Sequence, residues 1–242
     1  MALLAIDTAT RQMGVAVVDG ERLMSSYEVL ADNPHGIELP AAVTRVLKDA
    51  RTSLEQLEGI IVDIGPGSFT GLRIGLAFVK ALAFSTKKPL IGIPSLDVLA
   101  ANVPFSPRPV CVILDAKQRN VYAARFRLDG THPMKETDYL LGPTDDIIAR
   151  VAGKGAVFLG DGIGTYRDRI LARCPDAQFA APELWLPRAA TLGRLGAARF
   201  QKGEKDDPAA LVPMYLYPLD CSVRGPDRPT SVLATISPSN SS

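Results

Sequence analysis

Apolar residues occur in short runs at the start of the chain, and these runs predict β-strands. Residues 2–6 form one run, and residues 13–18 form a second that ends in Asp19-Gly20, a dipeptide typical of hairpin turns. A third strand is predicted over about residues 22–29. The chain is therefore expected to open with three antiparallel strands.

Helical periodicity follows these strands. Apolar side chains recur at helical spacing over residues 36–50, which predicts a first helix. A strand over residues 59–64 then leads through a glycine-rich run to a second helix, over about 71–86, which is apolar nearly all round. A further strand over 89–93 and a short helix over 95–102 complete this part of the chain.

The same order of elements begins again after residues 104–109, which contain three prolines. An apolar strand ends in Asp115, a second strand follows over 121–128, and a third, over 156–159, runs into Gly160-Asp161-Gly162. The repetition favours an internal duplication. Strand ends of this kind also arise by chance in α/β proteins, and that alternative stays open.

These patterns divide the chain into two lobes. We expect a first lobe over residues 1–104 and a second over 105–189, with a helix at about 190–203 that packs back on the first lobe. A C-terminal segment over 204–220 follows. Residues 221–242 are rich in Ser, Pro, Thr and Asn and are expected to form a disordered tail, because they offer little apolar surface to offset the entropy of ordering.

Composition and charge limit the possible functions. The 242 residues are 47% hydrophobic and 22% charged, as in an ordinary globular protein, and 27 basic against 26 acidic side chains exclude a stand-alone nucleic-acid binder. Cys111, Cys174 and Cys221 show no metal-ligand or disulfide spacing. No apolar run approaches the ~20 residues of a membrane span, and no signal peptide is recognisable, so a cytoplasmic location without membrane contact is expected.

The glycine-rich run from Gly65 to Gly71 is a candidate site for an anion or phosphate. Backbone N–H groups at the start of a helix favour an anion, and the run adds hydroxyl and guanidinium donors. The candidate residues are Gly65, Gly67, Ser68, Thr70, Gly71 and Arg73, together with Asp7 at the end of the first strand. The alternative is that the glycines allow a sharp turn and close packing, and that Asp7 caps a turn.

Several of these segments together resemble the TsaB (YeaZ) family. The resemblance is carried by LLAIDTAT at the N-terminus, by His35 at the head of the first helix, by Leu114-Asp115-Ala116, and above all by the PGSFTGLR run within residues 64–83. It is close through about residue 125, thinner to Leu216, and absent beyond. It implies an α/β actin-like (ASKHA) fold of two duplicated ribonuclease-H-like lobes.

The resemblance also implies a function. Family members pair with the TsaD-type catalytic paralogue, which makes threonylcarbamoyladenosine (t6A) beside the anticodon of ANN-reading tRNAs, and a TsaE-type ATPase joins the assembly. The catalytic paralogue holds its metal with two histidines at helical spacing, whereas Leu39 stands where the second would be. The chain is thus expected to be a non-catalytic subunit with no metal and no cofactor of its own. ATP or ADP is expected at the junction with the catalytic partner, and tRNA is reached through the complex.

The first two helices are the expected docking surface, for this partner or for a second copy of the chain. The second helix has more apolar surface than one core-facing stripe requires, and each exposed apolar side chain forgoes roughly 1.5–3 kcal/mol of burial free energy. The interface residues that we expect are Ile37, Leu39, Val43, Leu47, Ile74, Phe78, Val79, Ala81 and Leu82.

Two enzymatic alternatives remain for the chain itself. Asp7, Asp115 and the glycine-rich run are also compatible with an actin-like ATPase or small-molecule kinase. A protease is disfavoured, because neither His35 nor His132 has a neighbouring cysteine or a spacing typical of a catalytic dyad or metal pair.

Overall fold

The computed structural model describes residues 1–30 and 35–217, and it separates the chain into two compact units. One unit contains Met1–Val98 and Leu186–Met214, and the other contains Leu99–Trp185 and the residues from Tyr215 onward. The chain passes from the first unit to the second between Val98 and Leu99, a few residues before the proline-rich segment where the boundary was expected. The predicted disordered tail, residues 221–242, lies outside the described residues.

The first unit is built on a five-stranded mixed sheet. Its strands lie in the order β3-β2-β1-β4-β5, with β1 antiparallel to β2 and parallel to β4. Its elements are β1 (Ala2–Asp7), β2 (Gln12–Asp19), β3 (Arg22–Leu30), α1 (His35–Asp49), β4 (Gly59–Gly65), α2 (Phe69–Thr86), β5 (Leu90–Pro94) and α3 (Ser95–Ala100), which ends just past the division between the units.

The central strands of this sheet are buried on both faces, as their continuous apolar runs predict. Leu4, Ile6 and Val62 belong to a core that they share with α1 and α2. The other face is covered by α6 (Ala189–Gln201), whose Gly196 lies against Ile61. The predicted return of the last helix to the first lobe is thus seen in the structure.

The second unit repeats the topology of the first. Its strands lie in the order β11-β10-β6-β7-β8, which corresponds one for one to β5-β4-β1-β2-β3 of the first unit. An additional strand, β9, pairs with β7. Its elements are β6 (Val110–Asp115), β7 (Asn120–Asp129), β8 (His132–Lys135), β9 (Leu140–Pro143), α4 (Thr144–Val151), β10 (Val157–Leu159), α5 (Ile163–Arg173) and β11 (Gln178–Phe179), followed by a 3₁₀ turn, Pro182–Leu184. This correspondence supports the predicted duplication.

The second helix, α2, begins two residues earlier than predicted. By length and composition its 18 residues are enough to cross a membrane, contrary to the expectation that no such run exists. The structure shows that one side of this helix belongs to the core of the first unit, because Leu72, Leu76 and Val79 are buried in contact with the sheet. Such a helix is also found inside globular domains.

Candidate functional site

The glycine-rich run and the loop after β1 are bonded to each other. The Thr8 hydroxyl donates to the Gly71 carbonyl oxygen at 2.8 Å, and the Ser68 N–H donates to the Ala9 carbonyl oxygen at 2.7 Å. The Gly71 N–H is also engaged, because it donates to Ser68 Oγ at 3.2 Å, the N-cap bond of α2. The backbone donors expected to bind an anion are thus partly used within the chain.

Three glycines allow this close approach. A Cβ atom at position 67 would lie 2.2 Å from the Ala9 carbonyl oxygen, and one at position 71 would lie 2.1 Å from the Thr8 carbonyl oxygen. At position 75 it would lie 2.1 Å from Thr8 Oγ1. Gly65 serves a different need, since its φ of +100° is disfavoured for other residues. The structure therefore gives these glycines the packing role that the sequence left as an alternative.

The remaining side chains of the predicted anion loop lie on its outer side. Ser68, Thr70 and Arg73 are exposed. The Arg73 guanidinium lies over the Phe69 ring, with its carbon 3.7 Å from the ring centre, a cation–π arrangement. Binding of an anion by these residues remains a prediction.

Asp7 lies beneath the two loops rather than at their surface. Its side chain is 1% exposed, and its Oδ1 accepts from the Ala9 N–H at 2.8 Å, the turn-capping bond that the sequence allowed. Burial, followed by the charge of Asp63, raises the pKa of Asp7 well above its ordinary value. A carboxyl group in this position is shielded from a nucleotide in solvent.

Asp63 is the residue that the sequence analysis overlooked. It was counted within the apolar run over 59–64, yet it is 1% exposed and accepts at Oδ1 from the Gly65 N–H at 2.7 Å and the Ser95 hydroxyl at 2.5 Å. Burial raises its pKa to about 7. An acidic residue inside an otherwise apolar parallel strand was the available signal, because an unpaired buried charge is costly.

Asp115 occupies the position in the second unit that corresponds to Asp7. It is half-buried, its Oδ2 pairs with Lys117 Nζ at 2.8 Å, and its backbone N–H donates to Asp161 Oδ1 at 2.9 Å. The Lys117 bonds outweigh partial burial and lower the pKa of Asp115, the opposite of the change at Asp7. The two equivalent acids therefore have different protonation behaviour.

The expected docking residues divide into two groups. Leu39, Val43, Leu47 and Val79 are buried inside the first unit, so they are removed from the docking surface. Their positions on the core-facing stripes of α1 and α2 explain this difference. Ile37 is 79% exposed, Ala81 is exposed, and Ile74, Phe78 and Leu82 are half-buried.

The exposed side of α2 is nevertheless largely apolar, although Thr70, Arg73 and Ser85 are also exposed on this helix. We call this surface the α2 outer face. Its exposed residues are Phe69, Ala77, Ala81 and Phe84, and Ile74, Phe78 and Leu82 are half-buried along its edge, the last two also packed against the core of the first unit. Phe84 is 88% exposed and Phe69 is 55% exposed. The start of α1 borders this surface, since Gly36 lies against Ile74, and the next residue, Ile37, is exposed. A helix that is apolar on both sides has one side in excess of what its own fold requires.

His35 begins α1, as expected, and its side chain lies outside the described residues. Within residues 1–30 and 35–217 no group of three or more His, Cys, Asp and Glu side chains is arranged to hold a metal ion.

Comparison with known proteins identifies the family. Residues 29–169, more than half of the chain, match the family model described as TsaD, tRNA N6-adenosine threonylcarbamoyltransferase. YeaZ from Pseudomonas aeruginosa has the same fold, with a TM-score of 0.75 and 27% identity over 89% of this chain and 99% of that one. The chain belongs to the TsaB (YeaZ) family.

Several relatives carry the TsaB name, tRNA threonylcarbamoyladenosine biosynthesis protein, among them those of Escherichia coli and Bacillus subtilis. The Escherichia coli protein is 28% identical over 222 residues, which cover 89% of this chain and 94% of the relative. The Bacillus subtilis protein is 33% identical over 127 residues, and the match spans only 52% of this chain and 56% of the relative. The predicted TsaB resemblance and the actin-like, two-lobed α/β fold are confirmed.

Proposed function

We propose that this TsaB-family chain acts in t6A biosynthesis as a non-catalytic subunit that docks on a TsaD-type threonylcarbamoyltransferase. The names of its relatives support a role in t6A biosynthesis, because the E. coli and B. subtilis proteins are both threonylcarbamoyladenosine biosynthesis proteins. The match of residues 29–169 to the TsaD family model supports a structural kinship between the two subunits, as expected for paralogues that pair.

The α2 outer face is the observation that carries the docking proposal. Phe69 and Phe84 expose large apolar side chains on α2, as Ile37 does on α1, and several exposed side chains of this kind are typical of an interaction surface. Burial of such side chains against a partner contributes roughly 1.5–3 kcal/mol each. The corrected interface consists of this face and Ile37, without the four buried residues of the original set.

The closed loops support the non-catalytic part of the proposal. In the first unit the glycine-rich run is bonded to Thr8 and Ala9, and Asp7 is buried beneath it. ATP or ADP is therefore proposed at the junction with the catalytic subunit, not on this unit alone. The TsaE-type ATPase and tRNA are proposed to join through that subunit, and a homodimer through the same face is proposed for the isolated chain in the cytoplasm.

Paired substitutions test the docking surface. Ala81→Arg places a charge on the α2 outer face, and Ala172→Arg makes the same change at an exposed position of α5. We expect Ala81→Arg to abolish co-purification with the TsaD-type subunit and to abolish t6A in tRNA from cells that depend on the variant. Ala172→Arg should preserve both. A complex that survives Ala81→Arg unchanged would show that this face is not the interface.

Calorimetry tests the rival assignment as an ATPase or small-molecule kinase. The isolated chain titrated with Mg-ATP should release no binding heat and no ADP. Heat accompanied by turnover would favour the enzymatic alternative over the scaffold.

A further inference from the structure

Two buried carboxyl groups lie side by side in the first sheet. β1 and β4 are parallel with Ile6 opposite Val62, so the next residues, Asp7 and Asp63, are neighbours on adjacent strands and share a face. Strands in a sheet are about 4.8 Å apart. Asp7 and Asp63 are both 1% exposed, so water screens the repulsion between two ionised carboxylates only weakly here.

Half of the oxygen atoms in this pair have no hydrogen-bond partner. Each Oδ1 accepts hydrogen bonds from nearby donors, Ala9 N–H for Asp7 and Gly65 N–H with the Ser95 hydroxyl for Asp63. Each Oδ2 is buried and has no hydrogen-bond partner. Among the described residues, these are the two buried side-chain nitrogen or oxygen atoms that lack one. Buried polar atoms are rarely left unpaired, so these two require an explanation.

The charges around the pair do not neutralise it. Glu28 of β3 lies in the same row across the sheet, since it is opposite Gly14, which in turn is opposite Asp7. Its charge acts on Asp7, and that of Asp97 in α3 acts on Asp63. Both groups are acidic. Arg188, which precedes α6, acts on Glu28, whose Oε1 accepts from the Ala189 N–H at 3.1 Å.

We propose that Asp7 and Asp63 hold one proton between them at neutral pH, as a carboxyl–carboxylate hydrogen bond that joins their Oδ2 atoms. One proton satisfies both unpartnered atoms at once, as donor on one and acceptor on the other. It also leaves the pair with a single negative charge, which is the usual solution when two carboxyl groups share a buried site. The proposal depends only on the first unit and not on the docking proposal.

This bond has a structural consequence for the loops above it. Asp7 holds the loop after β1 through Ala9, while Asp63 holds the start of the glycine-rich run through Gly65. Loss of the proton introduces repulsion between the two carboxylates that hold these loops. The pair therefore links the protonation state to the anchoring of α2.

The direction of the pH dependence follows from linkage. Since the pKa of Asp63 is raised to about 7 and that of Asp7 is raised as well, the folded chain holds a proton that the unfolded chain has lost above pH ~4. Stability should thus be highest at acidic pH within this window and should fall as the pH rises through 7.

Infrared spectroscopy of the unmodified chain detects the proton directly. We expect the carbonyl band of a protonated carboxylic acid at pH 7, where exposed Asp and Glu are ionised, and its disappearance at higher pH. Asp63→Asn and Asp7→Asn should each remove the band at pH 7, because the new amide N–H donates to the remaining carboxylate in place of the proton. Asp97→Asn and Glu28→Gln, which alter neighbouring charges only, should retain it.

Thermal unfolding supplies the second readout. The melting temperature of the unmodified chain should fall by several degrees between pH 5 and pH 8, whereas Asp63→Asn should flatten this dependence and melt higher at pH 8. Absence of the band in the unmodified chain overturns the proposal, as does its persistence in both Asn variants. Stabilisation by added Mg²⁺ or K⁺ that both Asn variants abolish would assign the site to a cation instead.

Discussion

Thr8 Oγ1 lies where a side chain at position 75 would have to begin. It is 2.1 Å from the ideal Cβ position of Gly75, so only glycine fits there without a shift. The same hydroxyl donates to the Gly71 carbonyl oxygen one turn earlier in α2. A single threonine after β1 thereby fixes the start of the helix whose other side forms the proposed docking surface.

Gly75→Ala should therefore destabilise the first unit, although alanine ordinarily favours a helix. We expect a loss of about 1–3 kcal/mol in the free energy of unfolding, the typical cost of overpacking, measured by urea denaturation. Gly164→Ala in α5 is the matched control, since nothing lies within 4 Å of its Cβ position, and it should be neutral or stabilising by up to about 1 kcal/mol. Equal effects of the two changes would contradict the close contact.

The periodicity of the chain was enough to predict the order of elements in both units, because long apolar stripes and strand runs are local signals. It missed β8, β9 and β11, which are at most four residues long and depend on pairing with β7 and β10. It also placed Val79 on the docking surface. Periodicity shows that α2 is apolar on two sides, but only tertiary packing decides which side meets the sheet.

The candidate site was harder to predict for a different reason. The motif Gly65–Gly71 gave the right residues, yet its partner, the loop of Thr8 and Ala9, is separated from it by more than fifty residues. Asp63 was hidden because a single acid in a strand does not disturb an apolar pattern. Its neighbour Asp7 is identified only by the register of β1 and β4.

Tyr217 should stabilise the second unit through its hydroxyl group. The hydroxyl donates to the Ala116 carbonyl oxygen at 3.1 Å and accepts from Asn120 Nδ2 at 3.2 Å. Tyr217→Phe removes both bonds and should cost about 1–3 kcal/mol of unfolding free energy, while keeping the edge-to-face ring contact with Tyr122. Tyr217→Ala should cost more. A Phe variant as stable as the unmodified chain would show that water replaces these bonds without loss.

Cys111 should resist thiol reagents in the folded chain. Burial raises the pKa of its thiol to about 12, whereas an ordinary cysteine titrates near ~8.5. In a Cys221→Ser background, alkylation at pH 8 should be slow for Cys111 and for Cys174, whose pKa is also raised by burial. Both thiols should react rapidly once urea unfolds the chain.

The same shift sets a pH dependence of stability. The folded chain keeps the Cys111 proton above pH ~8.5, where the unfolded chain loses it, so stability falls as the pH rises from there towards 12. Cys111→Ala should lessen this alkaline loss. Rapid labelling of two thiols in the native Cys221→Ser chain would contradict the buried placement.

The two sides of α2 should respond in opposite ways to truncation. Val79 is fully buried against the sheet, so Val79→Ala should lower the free energy of unfolding by roughly 2 kcal/mol, from lost burial and the cavity left behind. Phe84 is 88% exposed, so Phe84→Ser should change that free energy by less than about 0.5 kcal/mol.

Binding to the TsaD-type subunit should be affected in the reverse order, more by Phe84→Ser than by Val79→Ala. Phe84→Ser should weaken binding to the TsaD-type subunit, measured by calorimetry, and Val79→Ala should bind nearly as the unmodified chain does while it remains folded. If Phe84→Ser binds normally and Val79→Ala does not, the partner does not recognise the outer face, and the excess apolar surface of α2 needs another explanation.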